Sequence, residues 1–180
     1  ITVDTEGEFA LRLRIPAWAS DGVTVAINGE AVALPIVAGE YLEIDRAWNA
    51  GDRVELHLPM PVRRLVSHPA VAENSGRVAL ARGPLLYCVE GLDLGGAVPT
   101  DVVIPPDATF SAEEHPDLLG GVTVVTIEAA VDRSSAEWSG DLYRAEQPQG
   151  GLESSTITAI PYFSWANREA SPMAVWLRER

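Results

Sequence analysis

An all-β fold, two antiparallel β-sandwich domains of jelly-roll-like type in tandem, is predicted by three features of the chain. Apolar and polar side chains alternate over stretches of about 4–8 residues, the period of a half-buried strand. The 15 glycines and 13 prolines are spread along the whole length, as many turns between short strands require. No window of about ten or more residues carries a 3.6-residue apolar period between helix caps. With 180 residues, 47% of them hydrophobic, the chain suffices for one large or two small packed cores.

In order, residues 8–15 place Phe9, Leu11, Leu13 and Ile15 on one face and Glu8, Ala10, Arg12 and Arg14 on the other. Pro16 stops this ladder because it has no N–H to donate. A strand over 23–27 runs into Asn28-Gly29, two residue types that tolerate positive φ, so a tight type I′ hairpin returning over 30–34 is expected. Residues 40–45 and 53–58 read as a third hairpin through a turn at 49–52, with Val54, Leu56 and Leu58 sharing a face. Residues 62–66 make a short edge strand, and 69–75 a loop. Within 76–90, a strand covers 77–81 and Gly83-Pro84 breaks or bulges the ladder. Residues 85–90 continue as a buried strand that delivers the chain to the second sandwich. Gly91, Gly95, Gly96 and Pro99 mark a linker, which sets the domains at 1–93 and 94–180. Beyond it, strands are expected at 101–104 and 122–127, with an exposed excursion over 107–121 between them. Residues 132–151 form a long polar loop or weak hairpin that includes Trp138 and Tyr143. Residues 155–163 and 173–177 form a closing hairpin joined through 165–171.

Charge restricts the partners. The net charge is −13, and all 13 basic residues are arginine. Nucleic acid and anionic membrane surfaces both require a basic face, so neither is expected as a partner. No apolar run approaches the length of a membrane span. A single cysteine forms no internal disulfide and no thiolate metal cluster, and it leaves the compartment open. Residue 1 is Ile and the opening residues already read as a strand, so a piece of a longer chain is expected.

No constellation in the chain carries chemistry by itself. His57, His68 and His115 show no metal-ligand spacing. His57 lies on a strand face opposite in pattern to Leu56 and Leu58, which suits a solvent-facing position. His68 and Glu73 share the loop before residue 76, where loop position favours a functional contact. Cys88 sits inside the apolar run 85–89, where a buried, inert thiol outweighs a nucleophile, since a reactive thiolate needs a basic neighbour or a helix N-terminus. Among 26 acidic residues, coincidental carboxylate pairs are unavoidable, so no pair is singled out for glycoside hydrolysis. There is no nucleophile elbow, phosphate-binding loop or dinucleotide fingerprint. Of the five tryptophans, Trp18, Trp48 and Trp138 are placed where exposure is expected and could offer flat faces to sugar rings. Core packing is the commoner fate of tryptophan in a sandwich, and it is the reading given to Trp176.

Four segments carry a family resemblance: LRLRIPAW at 11–18, LPMPVRR at 58–64, GRVALARGPLLYCVE at 76–90, and IPYFSWANR at 160–168 with MAVW at 173–176. In order and wording they resemble the C-terminal region of glycoside hydrolase family 127, the β-L-arabinofuranosidase-like enzymes. The resemblance implies an (α/α)6 catalytic barrel followed by two β-sandwich domains. It also implies a retaining mechanism with a zinc-bound cysteine nucleophile, further cysteine and glutamate ligands, and a glutamate acid/base. None of those motifs falls on this chain, so no catalytic, cofactor-binding or metal-ligating residue is assigned to it. What the resemblance implies is a non-catalytic region that packs on the barrel and supports subunit contacts such as a homodimer, with zinc confined to the barrel. A carbohydrate-binding module with weak sugar contacts is the alternative. Trp18, His68, Glu73 and Trp138 are the candidates for an interdomain or sugar-facing role.

Overall fold

The computed structural model describes residues 1–19, 21–134, 142, 143, 145 and 151–180. It is all-β, in two compact units, 1–61 and 62–180. The division falls earlier than the expected 93/94 boundary. The reason lies in residues 77–90, whose strands bond to strands from the end of the chain and belong wholly to the second unit.

The first unit contains β1 (Gly7–Arg14), β2 (Thr24–Ile27), β3 (Glu30–Ala31), β4 (Tyr41–Trp48) and β5 (Val54–His57). β1 pairs with β4, and β2 lies between β3 and β5. The turn after β2 has φ of 53° at Asn28 and 83° at Gly29, the two positive values that a type I′ hairpin demands. Its return strand is limited to Glu30–Ala31. The expected hairpin between β4 and β5 does not form, although the turn joining them does, with Asp52 N–H donating to the Asn49 carbonyl at 3.1 Å. β4 bonds to β1 and β5 bonds to β2, so the chain crosses from one sheet to the other at this turn. Asp52 holds the crossing, accepting from Asn49 N–H at 3.0 Å and from Asn28 Nδ2 at 2.9 Å. These bonds, the backbone one first, keep its carboxyl below the usual range. Inward side chains of both sheets (Leu13, Ile15, Leu42, Ile44, Val25 and Val54) join Trp48 in one core.

The second unit contains β6 (Val62–Leu65), β7 (Arg77–Arg82), β8 (Leu85–Glu90), β9 (Val102–Ile104), β10 (Phe110–His115), β11 (Val122–Asp132), β12 (Leu152–Pro161), β13 (Met173–Ala174) and β14 (Leu177–Glu179). The pairing order is β13-β8-β12-β11-β9-β14-β7-β6, and β8 also pairs with β7. The strands β7, β8, β12, β11, β9 and β14 therefore close a circuit in which each has a partner on both sides, while β6, β10 and β13 hang from it by one partner each. β6 pairs only with β7, as an edge strand. Gly83-Pro84 does not continue the strand in one direction. Gly83 has φ of 55°, and the chain reverses there into an antiparallel β7–β8 hairpin with Ala81 opposite Leu86. One pairing departs from the antiparallel expectation: β14 runs parallel to β9.

Three further expectations are corrected. Within 107–121, β10 is a regular strand on β11, exposed as expected but not irregular. β11 extends beyond 127 to Asp132 and forms a long ladder with β12. The closing hairpin is absent, because β13 bonds to β8 while β14 bonds to β7 and β9. The main core holds Leu80, Tyr87, Val89, Ile104, Ile127 and Ile157 among others. Alternate residues of β8, β11 and β12 point the other way, and Cys88, Val124 and Ile160 form a smaller second core with Val122. β8 is thus covered on both faces, which its unbroken apolar run requires.

Candidate functional site

A multiply bonded ion cluster sits where β8 meets the segment after β12. Glu90 closes β8 and is only 1% exposed. Arg168 donates to both oxygens of Asp93, from Nη1 at 2.9 Å and from Nη2 at 2.6 Å. The same guanidinium donates to Glu90 Oε2 through Nε at 3.1 Å and through Nη2. The other Glu90 oxygen accepts the Ala166 N–H at 3.0 Å. The bonds to Asp93 above all, then those to Glu90, raise the Arg168 pKa further above its ordinary value against the opposing effect of burial. A buried carboxylate is tolerated only when paired and hydrogen-bonded in this way.

The cluster lies under a loop of aromatic residues. Pro161 ends β12, and Tyr162–Ser164 form one 3-10 turn. Ser164 is buried, and its hydroxyl donates to the Pro161 carbonyl at 2.7 Å. Asn167 Nδ2 donates to the carbonyls of Ser164 and Trp165 at 3.1 and 3.3 Å. Ala166 has φ of 59°, a left-handed conformation that costs a residue with a Cβ about 1–2 kcal/mol. Tyr162, Phe163 and Trp165 are 43%, 67% and 39% exposed. The Tyr162 and Trp165 rings stack with centroids 6.3 Å apart and planes inclined by 29°.

The residues singled out from sequence are dispersed. Trp18 is half-buried in the turn after β1, within the first unit. His68 and Glu73 are exposed in the loop between β6 and β7. The His68 ring is engaged locally, Nδ1 accepting the Ala70 N–H at 3.1 Å. That loop borders a shallow depression of about 280 Å³ lined by Val66, Pro69, Asn74, Arg77 and Glu179 among others. Trp138 lies outside the described residues. Trp48, expected to be exposed, is 2% exposed. It ends β4 pointing inward, with Nε1 donating to the Phe9 carbonyl at 2.9 Å. Trp176 is half-buried and not fully in a core. His57 is exposed, as its strand pattern indicates. The aromatic loop was missed because Trp165 reads as part of a connection. Its signal was Pro161 ending a strand directly before three aromatics in four residues. The ion cluster has no local signal, since its partners are 75 and 78 positions apart in the chain.

These residues do not fit a zinc–thiolate centre. Among the described residues no three His, Cys, Asp or Glu side chains converge as a metal would require. The Cys88 thiol, 1% exposed, is pushed up to about 12, by burial first and then by the Glu90 carboxylate. A thiol reagent at about pH 8 is therefore expected to leave the native chain unlabelled, since only thiolate attacks. In denaturant one thiol per chain should react. Fast labelling of the native chain would contradict the burial of Cys88.

Comparison with known proteins assigns the chain along nearly its whole length. The model of the GH127 middle domain, described with β-L-arabinofuranosidase, matches residues 1–60. The model of the glycoside hydrolase family 127 C-terminal domain matches residues 62–178. The junction between them coincides with that between the two compact units. The chain is 34% identical over 181 residues to a non-reducing end β-L-arabinofuranosidase of Bifidobacterium longum subsp. longum, covering 97% of this chain and 26% of that protein. It superposes with a TM-score of 0.86 on a GH127 β-L-arabinofuranosidase of Geobacillus stearothermophilus T6, at 43% identity over 98% of this chain and 27% of that one. A GH127 β-arabinofuranosidase structure matches with a TM-score of 0.78 at 30% identity, covering 98% of this chain and 28% of that one. The chain thus spans about a quarter of the length of these relatives. On these matches the chain belongs to glycoside hydrolase family 127, with one compact unit corresponding to the family's middle domain and the other to its C-terminal domain.

Proposed function

We propose that these 180 residues are a non-catalytic β-region of a retaining, β-L-arabinofuranosidase-like glycoside hydrolase, serving to support its catalytic part. The observation that carries the reading is the assignment of the whole chain to a middle and a C-terminal domain that together make up about a quarter of the relatives. The chemistry of Cys88 points the same way, because a thiol raised to about 12 inside a strand is a poor nucleophile near neutral pH. On this reading the zinc that the family resemblance implies belongs to the catalytic part, and so does the choice of substrate. The test is hydrolysis of an aryl β-L-arabinofuranoside by the purified 180-residue chain with zinc supplied. No release above the buffer rate is expected, and turnover that scales with protein concentration would overturn the reading.

A further inference from the structure

Asn28-Gly29 is the one Asn-Gly pair in the chain. The pair is chemically reactive because glycine, having no Cβ, lets its backbone nitrogen approach the preceding side-chain carbonyl carbon. Attack by the Gly29 nitrogen on Asn28 Cγ closes a succinimide ring. The Gly29 N–H proton passes to base in the solvent, the Cγ–Nδ2 bond breaks, and ammonia leaves. Water then opens the ring at either carbonyl and gives aspartate or isoaspartate, with no oxidant or other reactant. Both residues are exposed, and nothing lies within 4 Å of where a Cβ on Gly29 would stand. Solvent therefore reaches the turn.

The fold restrains the carboxamide without shielding it. Asn28 Nδ2 donates to Asp52 Oδ1 at 2.9 Å, and Asn28 Oδ1 accepts the Arg53 N–H at 2.8 Å. The Asn28 N–H donates to the Arg53 carbonyl at 2.8 Å. Two bonds, one at each end, fix the rotation of the carboxamide, whereas ring closure requires that rotation and expels Nδ2. Residues 52 and 53 also hold the opening of the chain. Val3 N–H donates to the Asp52 carbonyl at 2.8 Å, and Thr2 bridges to Arg53. A carboxylate at position 28 would face the Asp52 carboxylate where a donor now stands, and like charges at that range repel. Isoaspartate would lengthen the main chain inside a two-residue turn, whose length sets the register of the strands it joins. We propose that Asn28 is a deamidation site gated by its bonds to Asp52 and Arg53, reacting when the first unit opens and leaving a product that prevents the unit from closing as before. The turn is thereby a one-way record of opening.

The test follows deamidation of the 180-residue chain at mildly alkaline pH, by mass and peptide mapping, in buffer and in urea. Conversion at Asn28 should be about tenfold or more faster in urea, the factor for giving up a hydrogen bond to a charged group. Asp52→Ala should raise the rate in buffer about fivefold or more while leaving the rate in urea unchanged. The converted chain, separated by its added negative charge and returned to buffer, should exchange the amide hydrogens of β2 and β5 about tenfold faster than the natural chain. Comparable rates in buffer and in urea would overturn the gating, and conversion in urea at other asparagines but not at Asn28 would overturn the site, whether or not the Asp52→Ala variant folds. A variant that keeps exchange protection in β2 and β5 yet reacts no faster than the natural chain would overturn the role of Asp52. Exchange in the converted chain identical to that of the natural chain would overturn the one-way consequence.

Discussion

Arg168→Met is expected to cost the unit over 62–180 about 3–5 kcal/mol, the scale for stripping a buried ion of its partner. Glu90, at 1% exposure, would keep only the Ala166 N–H. Asp93 retains access to water, with 20% of its side chain exposed, so most of the loss arises at Glu90. The variant side chain nearly matches the volume of the arginine stem, which limits the packing contribution. Urea unfolding followed by far-ultraviolet circular dichroism measures the effect. The companion Glu90→Leu/Arg168→Met removes both charges and should recover much of the loss, since replacing a buried pair by apolar residues is often neutral or stabilising. If the single variant is as stable as the natural chain, Glu90 is not held by Arg168 as described.

Trp48→Ala should destabilise the unit over 1–61 by about 3–5 kcal/mol, the range for emptying a large aromatic site. Trp48 fills the space between the two sheets. Phe9 stacks on it at 5.9 Å between centroids, and the Arg46 guanidinium lies 5.0 Å from its ring centroid. Removing the indole also leaves the Phe9 carbonyl without the Nε1 donor. A sandwich of about 60 residues has little stability in reserve, so the variant should populate an unfolded first unit at room temperature. Amide hydrogen exchange in β1 to β5 would then approach unprotected rates. Retained protection in those strands would show that Trp48 is dispensable to this core.

Much of the fold is legible in residues taken a few at a time. The alternation over 8–15 yields β1 and places Leu13 and Ile15 in the core. Asn28-Gly29 makes the turn that its residue types favour. The apolar run at 85–89 becomes a strand covered on both faces, and Cys88 is buried in it as its neighbours suggest. The family resemblance, carried by four motifs, is confirmed by matches spanning both units. The candidate site was less legible. Trp48, expected at the surface because it enters a turn, is buried, while Trp165, which reads as part of a connection, is 39% exposed. Trp48 and Trp165 each sit next to a turn. Which of them turns inward depends on what packs above it, and no local pattern encodes that.

By itself the sequence determined the strand class, most strand positions, the tight turn at Asn28-Gly29, the net negative charge and the family. Those properties depend on residue type and on a period of two, both local. Only the tertiary structure decided which strands pair, and hence where the units divide. β4 and β5 flank a competent turn yet bond to different sheets, while β7 and β8 reverse at Gly83-Pro84 and join strands from the end of the chain. A period-two pattern says which face of a strand is apolar but not which backbone completes its hydrogen bonds. The same applies to Arg168, which lies 78 and 75 positions from Glu90 and Asp93 and clamps them only when β8 and the segment after β12 are brought together.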